Sequence, residues 1–173
     1  MRNSYEVRAQ KFIRQVASYI ADCHDYCDLD YAMMNYMIDH PSRKVSVNHG
    51  MARMVLITSD YVIKMDSNPD WIEEVGGGEE EMKFYSIAEN EGMAYLFAKV
   101  SRYDYNGRSY YIMPRVYGID PDRWFDAYHY MTQEERDWCM EHQLYDLHCN
   151  NYGFRDGHVC IIDYACSEEI LSH

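Results

Sequence analysis

The sequence predicts an α+β domain: helices first, then an antiparallel sheet with one helix inserted between its strands, then a further helix and a hairpin. Three observations carry this. Apolar residues recur at three- and four-residue steps over residues 5–20, the period of a helix. From Lys44 the period changes to two. Two dipeptides that favour tight hairpin turns, Asn106-Gly107 and Asp156-Gly157, each separate short strand-forming runs.

In chain order, Val7, Phe12, Ile13, Val16, Ala17 and Ile20 form the apolar stripe of the first helix. A second helix is expected over residues 29–38, rich in Met and Tyr and stopped by Pro41. Val45 with Val47, residues 54–57 and residues 61–65 read as three short strands, with turns at Asn48-His49-Gly50 and Thr58-Ser59-Asp60. Residues 67–78 form a soft segment ending in three glycines. A helix follows over 79–90; its opening acids suit the positive N-terminal end, and Met82, Tyr85, Ile87 and Ala88 are its expected apolar side. Strands are expected at 96–103 and 109–113. Beyond Pro114, Thr132 and Glu135 stand three apart as a capping box for a helix running to about residue 143. Residues 150–153 read as loop, and residues 152–154 and 159–162 as the two strands of the last hairpin.

The 173 residues suit one domain, and a hydrophobic share of 47% supplies a core. Eighteen tyrosines bring core-sized area with hydroxyls that need partners. A net charge of −13 repels nucleic acid and anionic membrane and favours a partner with a basic surface. The same charge would suit an acidic mimic of nucleic acid. No apolar run approaches the roughly 20 residues that span a bilayer, and the charged N-terminal stretch does not read as a signal peptide. The expectation is a cytoplasmic protein with its six cysteines reduced. Cys23 and Cys27 have zinc-ligand chemistry, but no second pair with finger spacing follows.

The densest chemistry lies near the end. Leu144-Tyr145-Asp146-Leu147-His148-Cys149-Asn150-Asn151 follows a helix and precedes the last hairpin, with Asp146 and Asn151 five apart. The hairpin's apolar second strand then delivers Asp163, followed by Tyr164-Ala165. This arrangement resembles the protein-kinase-like superfamily, whose catalytic loop carries Asp and Asn at this spacing ahead of a metal-binding Asp. His148, two residues after Asp146, is closer to aminoglycoside and choline phosphotransferases and to phage-encoded protein kinases than to eukaryotic protein kinases.

The resemblance spans residues 44–166 and implies ATP and Mg²⁺ as cofactors. Asn151 and Asp163 would hold the metal, and Asp146 would orient or deprotonate the acceptor hydroxyl. Tyr61-Val62-Ile63-Lys64 matches the third-strand pattern, which makes Lys64 the phosphate anchor. Glu81, or Glu80 if the alignment shifts by one, would pair with Lys64. Gly50 would belong to the phosphate loop, and Met113 to the hinge that meets adenine. The implied layout is an N-terminal helical extension (1–42), a small lobe (43–113) and a shortened C-terminal lobe with the catalytic loop (114–173). Two departures stand out. The phosphate loop has one glycine, and the chain lacks the activation segment and large helices expected after Asp163. The activity that the resemblance implies is phosphotransfer to a hydroxyl on a protein; the alternative is a pseudokinase that acts by binding a partner.

Overall fold

Alternation along three central strands decides how the chain folds. The computed structural model describes residues 4–49, 53–67, 77–117 and 125–164. Its five-stranded antiparallel sheet comprises β1 (Ser46–His49), β2 (Arg53–Ile57), β3 (Tyr61–Asp66), β4 (Ser101–Tyr105) and β5 (Arg108–Pro114), in the order β1-β2-β3-β5-β4. Successive side chains on a strand point to opposite faces. Met54 and Leu56, Ile63 and Met65, Tyr110 and Ile112 therefore share one face, while Arg53, Val55, Val62, Lys64 and Met113 belong to the other. Between β4 and β5, Asn106 and Gly107 both adopt positive φ (50° and 74°), the pairing that a two-residue hairpin turn of matching twist requires.

The first face is covered by α1 (Ser4–Ile20) and α2 (Tyr26–Asp39). Phe12, Ile13, Val16 and Ile20 of α1 and Leu29, Met33 and Tyr36 of α2 share its core with Leu56, Ile63 and Ile112. Asp25 opens α2 as its N-cap, its side chain accepting the Asp28 N–H at 2.9 Å. Arg108 of β5 donates to the carbonyls of Ile20 (3.0 Å) and Cys23 (2.6 Å), placing a cation at the C-terminal end of α1.

On the opposite face lies α3 (Gly78–Asn90), followed by a 3₁₀ turn (Ala94–Leu96), a second 3₁₀ turn (Ala127–Tyr130), α4 (Gln133–Glu141) and a hairpin of β6 (Tyr152–Arg155) and β7 (His158–Ile161). The rings of Phe84, Phe97, Trp138 and Tyr164 pack together at its centre. Phe84 and the expected Ala88 are the deep apolar residues of α3; the expected Met82, Tyr85 and Ile87 are only partly buried.

Three boundaries differ from expectation for identifiable reasons. The strand expected from residue 96 begins at Ser101, because Phe97 pairs with Ile161 and the Ala98 N–H donates to the Ile161 carbonyl (2.8 Å). That segment joins the last hairpin instead of the sheet. The last helix ends at Glu141, since Gln143 turns to φ 56°. There the Leu144 N–H reaches the Cys139 carbonyl (2.9 Å) and the Gln143 N–H that of Met140 (3.1 Å), the two bonds of a Schellman ending. Asn48 and His49 continue β1 and are not turn residues. Among the described residues, no helix is long and apolar enough to cross a membrane.

Candidate functional site

Lys64 owes its position to strand alternation, which turns it away from α1 and α2 toward α3. It is 6% exposed, donates to Glu81 Oε1 at 2.6 Å and to the Ile162 carbonyl at 2.7 Å, and lies 3.6 Å from Asp163 Oδ1. The two acids that could have paired with it are separated by helix geometry. Glu80 turns back to accept the Gly77 N–H (2.8 Å) at the start of α3, while Glu81, fully buried, faces the sheet. The start of α3 is tied to β3 by Asp66, whose carboxylate accepts the Gly78 N–H at 3.2 Å. Gly78 also lets the helix sit close: a Cβ there would stand 2.2 Å from the Tyr111 ring.

A second cation joins this group. Arg53 of β2, 8% exposed, places Nη1 2.9 Å from Glu81 Oε1 and bonds Asp163 Oδ1 through Nη2. Sequence reasoning missed it, although alternation over 53–57 already put it on the face of Val55 and Ile57. Two cations and two carboxylates thus meet with no net charge, Arg53, Lys64 and Glu81 almost wholly buried and Asp163 partly exposed. Burial alone would raise the Asp163 carboxyl; the Lys64 and Arg53 charges and the Arg53 hydrogen bond outweigh it and lower its pKa to about 2.

The loop opposite is organised by Asn151. Its side-chain amide donates to the Asp146 carbonyl (2.8 Å), and its own carbonyl accepts the N–H groups of Ile162 (2.8 Å) and Asp163 (3.3 Å). One residue thereby fixes both the start of the loop and the segment bearing Asp163. Tyr164, buried, holds the next position by donating to the Ala98 carbonyl at 2.6 Å. Leu147, also buried, anchors the loop between Asp146 and His148. The Asp146 side chain is 80% exposed, and its Oδ1 is 3.5 Å from His148 Nε2. Because His148 Nδ1 accepts the Asn150 N–H (3.2 Å), the neutral ring carries its proton on Nε2, the atom facing Asp146.

Lys64, Asp146, His148, Asn151 and Asp163 line one cleft of about 640 Å³, whose wall also includes the apolar Val62 and Met113. Met113 pairs with Val62 in the ladder. Beyond it, Pro114 has no N–H and the Arg115 N–H donates to the Asp60 carbonyl (2.9 Å), so neither position offers a planar ligand a donor. Gly50 lies outside the described residues.

The cleft fits a hard divalent cation in a limited way. Asn151 uses its amide nitrogen on the Asp146 carbonyl, so its Oδ1 and the Asp163 carboxylate are the two oxygen donors these residues bring to the cleft. Mg²⁺ commonly takes one or two protein oxygens and completes its shell with phosphate and water. Among the described residues, no group of three or more His, Cys, Asp or Glu could hold a metal unaided. Near the N-terminus, Asp25 serves as a helix cap, between a buried Cys23 and an exposed Cys27. Burial pushes the Cys139 and Cys160 thiols up to about 12 and about 11, which makes them poor nucleophiles.

No protein-family model matches the chain, and no curated protein matches it.

Proposed function

We propose that the protein is a compact kinase-like phosphotransferase that moves the γ-phosphoryl group of ATP to a hydroxyl, on a protein substrate. The observation that carries this reading is the convergence of Lys64, Asp146, Asn151 and Asp163 on one cleft, from β3, the loop after α4 and the end of β7, with Glu81 of α3 behind Lys64. Phosphoryl transfer asks the protein mainly for positioning and for neutralisation of phosphate charge. Lys64, oriented by Glu81, supplies a point charge for the phosphates. Asn151 and Asp163 would hold Mg²⁺, which neutralises charge on the phosphate oxygens when bound. Asp146, at the open mouth, is placed to meet an incoming hydroxyl and accept its proton. Arg53 keeps Glu81 neutralised whenever Lys64 turns toward a phosphate.

Thermal melting with and without ATP and Mg²⁺ tests the reading. At about 100 times the dissociation constant, binding adds roughly 2.7 kcal/mol, a clear rise in the melting temperature. The rise is expected in wild type only when the metal is present, and is expected to vanish in Asp163→Asn. No rise in wild type would sink the proposal.

One observation favours a second reading, a pseudokinase that binds a partner. Arg53 bonds the same Asp163 oxygen that lies near Lys64, so the protein supplies Asp163 with a cation of its own. On that reading ATP raises the melting temperature equally without metal, or not at all, and no phosphate is transferred.

A further inference from the structure

A second cavity, of about 690 Å³, opens between α1, the entry to β1 and the β2–β3 turn. Five of the chain's sixteen lysines and arginines line it: Arg8, Lys11, Arg43, Lys44 and Arg115. Asp60 is the one carboxylate in its wall. In a protein of net charge −13, this is a marked local reversal of sign.

The five cations divide into two groups. Arg8 pairs with Asp60 at 3.0 Å, and Arg115 donates to the Thr58 carbonyl at 2.6 Å while its guanidinium lies 5.0 Å from the centre of the Tyr117 ring. Lys11, Arg43 and Lys44 are exposed, and none forms an ion pair with another described residue. Three neighbouring cations thus have no carboxylate partner among the described residues. Their backbone is well supported: Phe12 and Val45, beside Lys11 and Lys44, are buried, and the Arg43 N–H donates to the His40 carbonyl at 2.9 Å. The cluster therefore stands on a rigid base.

We propose that this cavity binds a compact polyanion, a small ligand carrying two or more phosphate groups. Its volume falls within the roughly 300–1,000 Å³ of small-molecule sites. Compactness follows from the surrounding field. A ligand whose charges all lie among Lys11, Arg43 and Lys44 gains their attraction, whereas an extended acidic chain would carry further charges out over an acidic surface. The hydroxyls of Ser42 and Ser46, also in the wall, add hydrogen-bond donors of the kind phosphate oxygens accept. The site is separate from the phosphotransferase reading and does not rest on it: Lys11, Arg43 and Lys44 do not line the cleft, although Ile57 and Arg115 line both cavities.

Titration calorimetry on the full chain with inorganic tripolyphosphate, without added metal, tests the proposal. The variant Lys11→Gln/Arg43→Gln/Lys44→Gln is expected to bind at least about 30-fold more weakly than wild type, because screened surface attraction is lost at three sites. The charge-keeping variant Lys11→Arg/Arg43→Lys/Lys44→Arg is expected to stay within about threefold of wild type, since attraction at this range follows charge. All three residues are exposed, so both variants are expected to fold. Absence of binding to wild type overturns the proposal. So does equal binding by the glutamine variant, which would locate the anion elsewhere, or a hexaglutamate peptide binding as tightly as tripolyphosphate.

Discussion

At the inner end of the cleft, Lys64 and Asp163 of its wall and Arg53 and Glu81 behind them neutralise one another, and all but Asp163 are almost wholly buried. At the outer end, Asp146 and His148 stand 80% and 53% exposed, joined by one contact of 3.5 Å. Charge at the inner end has been taken out of water, so each member depends on the others for its place. At the outer end water solvates each group separately, and little structure depends on the pair. The same cleft therefore contains residues whose loss should first be felt as instability and residues whose loss should be felt only as chemistry.

Glu81→Ala breaks the inner end most severely, leaving the buried Lys64 and Arg53 with only the partly exposed Asp163 carboxylate between them. It is expected to cost about 3–5 kcal/mol, read as a lowered midpoint in urea unfolding. A cost below about 1 kcal/mol would mean that water already reaches these groups. Gly78→Ala strains the same end through the backbone, since its Cβ would stand 2.2 Å from the Tyr111 ring. Overpacking of this kind is expected to cost about 1–3 kcal/mol, visible in a thermal melt.

Acid titrates the boundary between the two ends. The Asp163 carboxyl has its pKa depressed from an ordinary 3.8 to about 2. Its contribution is therefore complete above the unfolded value and is lost as pH falls from about 4 toward 2. Its side chain is 42% exposed, so screening reduces the effect to on the order of 1 kcal/mol. Wild type is expected to lose that much more stability across this window than Asp163→Asn, measured by urea unfolding at each pH; parallel losses would contradict the ion cluster. Asp146→Ala is the smallest perturbation, within about 0.5 kcal/mol of wild type in stability. Under the phosphotransferase reading it nonetheless lowers turnover about 10²–10⁴-fold, in an assay of labelled phosphate transfer.

Sequence patterns located the elements better than their surroundings. The capping box at Thr132 and Glu135 forms as expected, with the Glu135 N–H donating to Thr132 Oγ1 (3.3 Å) and Glu135 Oε2 accepting the Thr132 N–H (2.6 Å). Both hairpin turns form where the dipeptides indicated, with Asp156 and Gly157 at φ 53° and 83°. Each depends on residues close in sequence. The Schellman ending at Gln143 was not legible, because glutamine carries no preference for positive φ and the buried Leu144 after it supplies the reason. The polar residues of the loop over 146–151 were legible through spacing. Arg53 was not, since a charged residue opening a strand is ordinary until its neighbours are known.

The sequence by itself determined the local elements: helices from a period of three to four, strands from a period of two, and turns from glycine, asparagine and aspartate. Tertiary structure decided which strand face received charge, which of two adjacent glutamates met Lys64, and that residues 97–98 would join the last hairpin instead of the sheet. Periodicity and turn preference act over a few residues and are written in the chain. Burial and ion pairing depend on which distant segments share a volume, as Arg53 and Asp163 do across 110 positions.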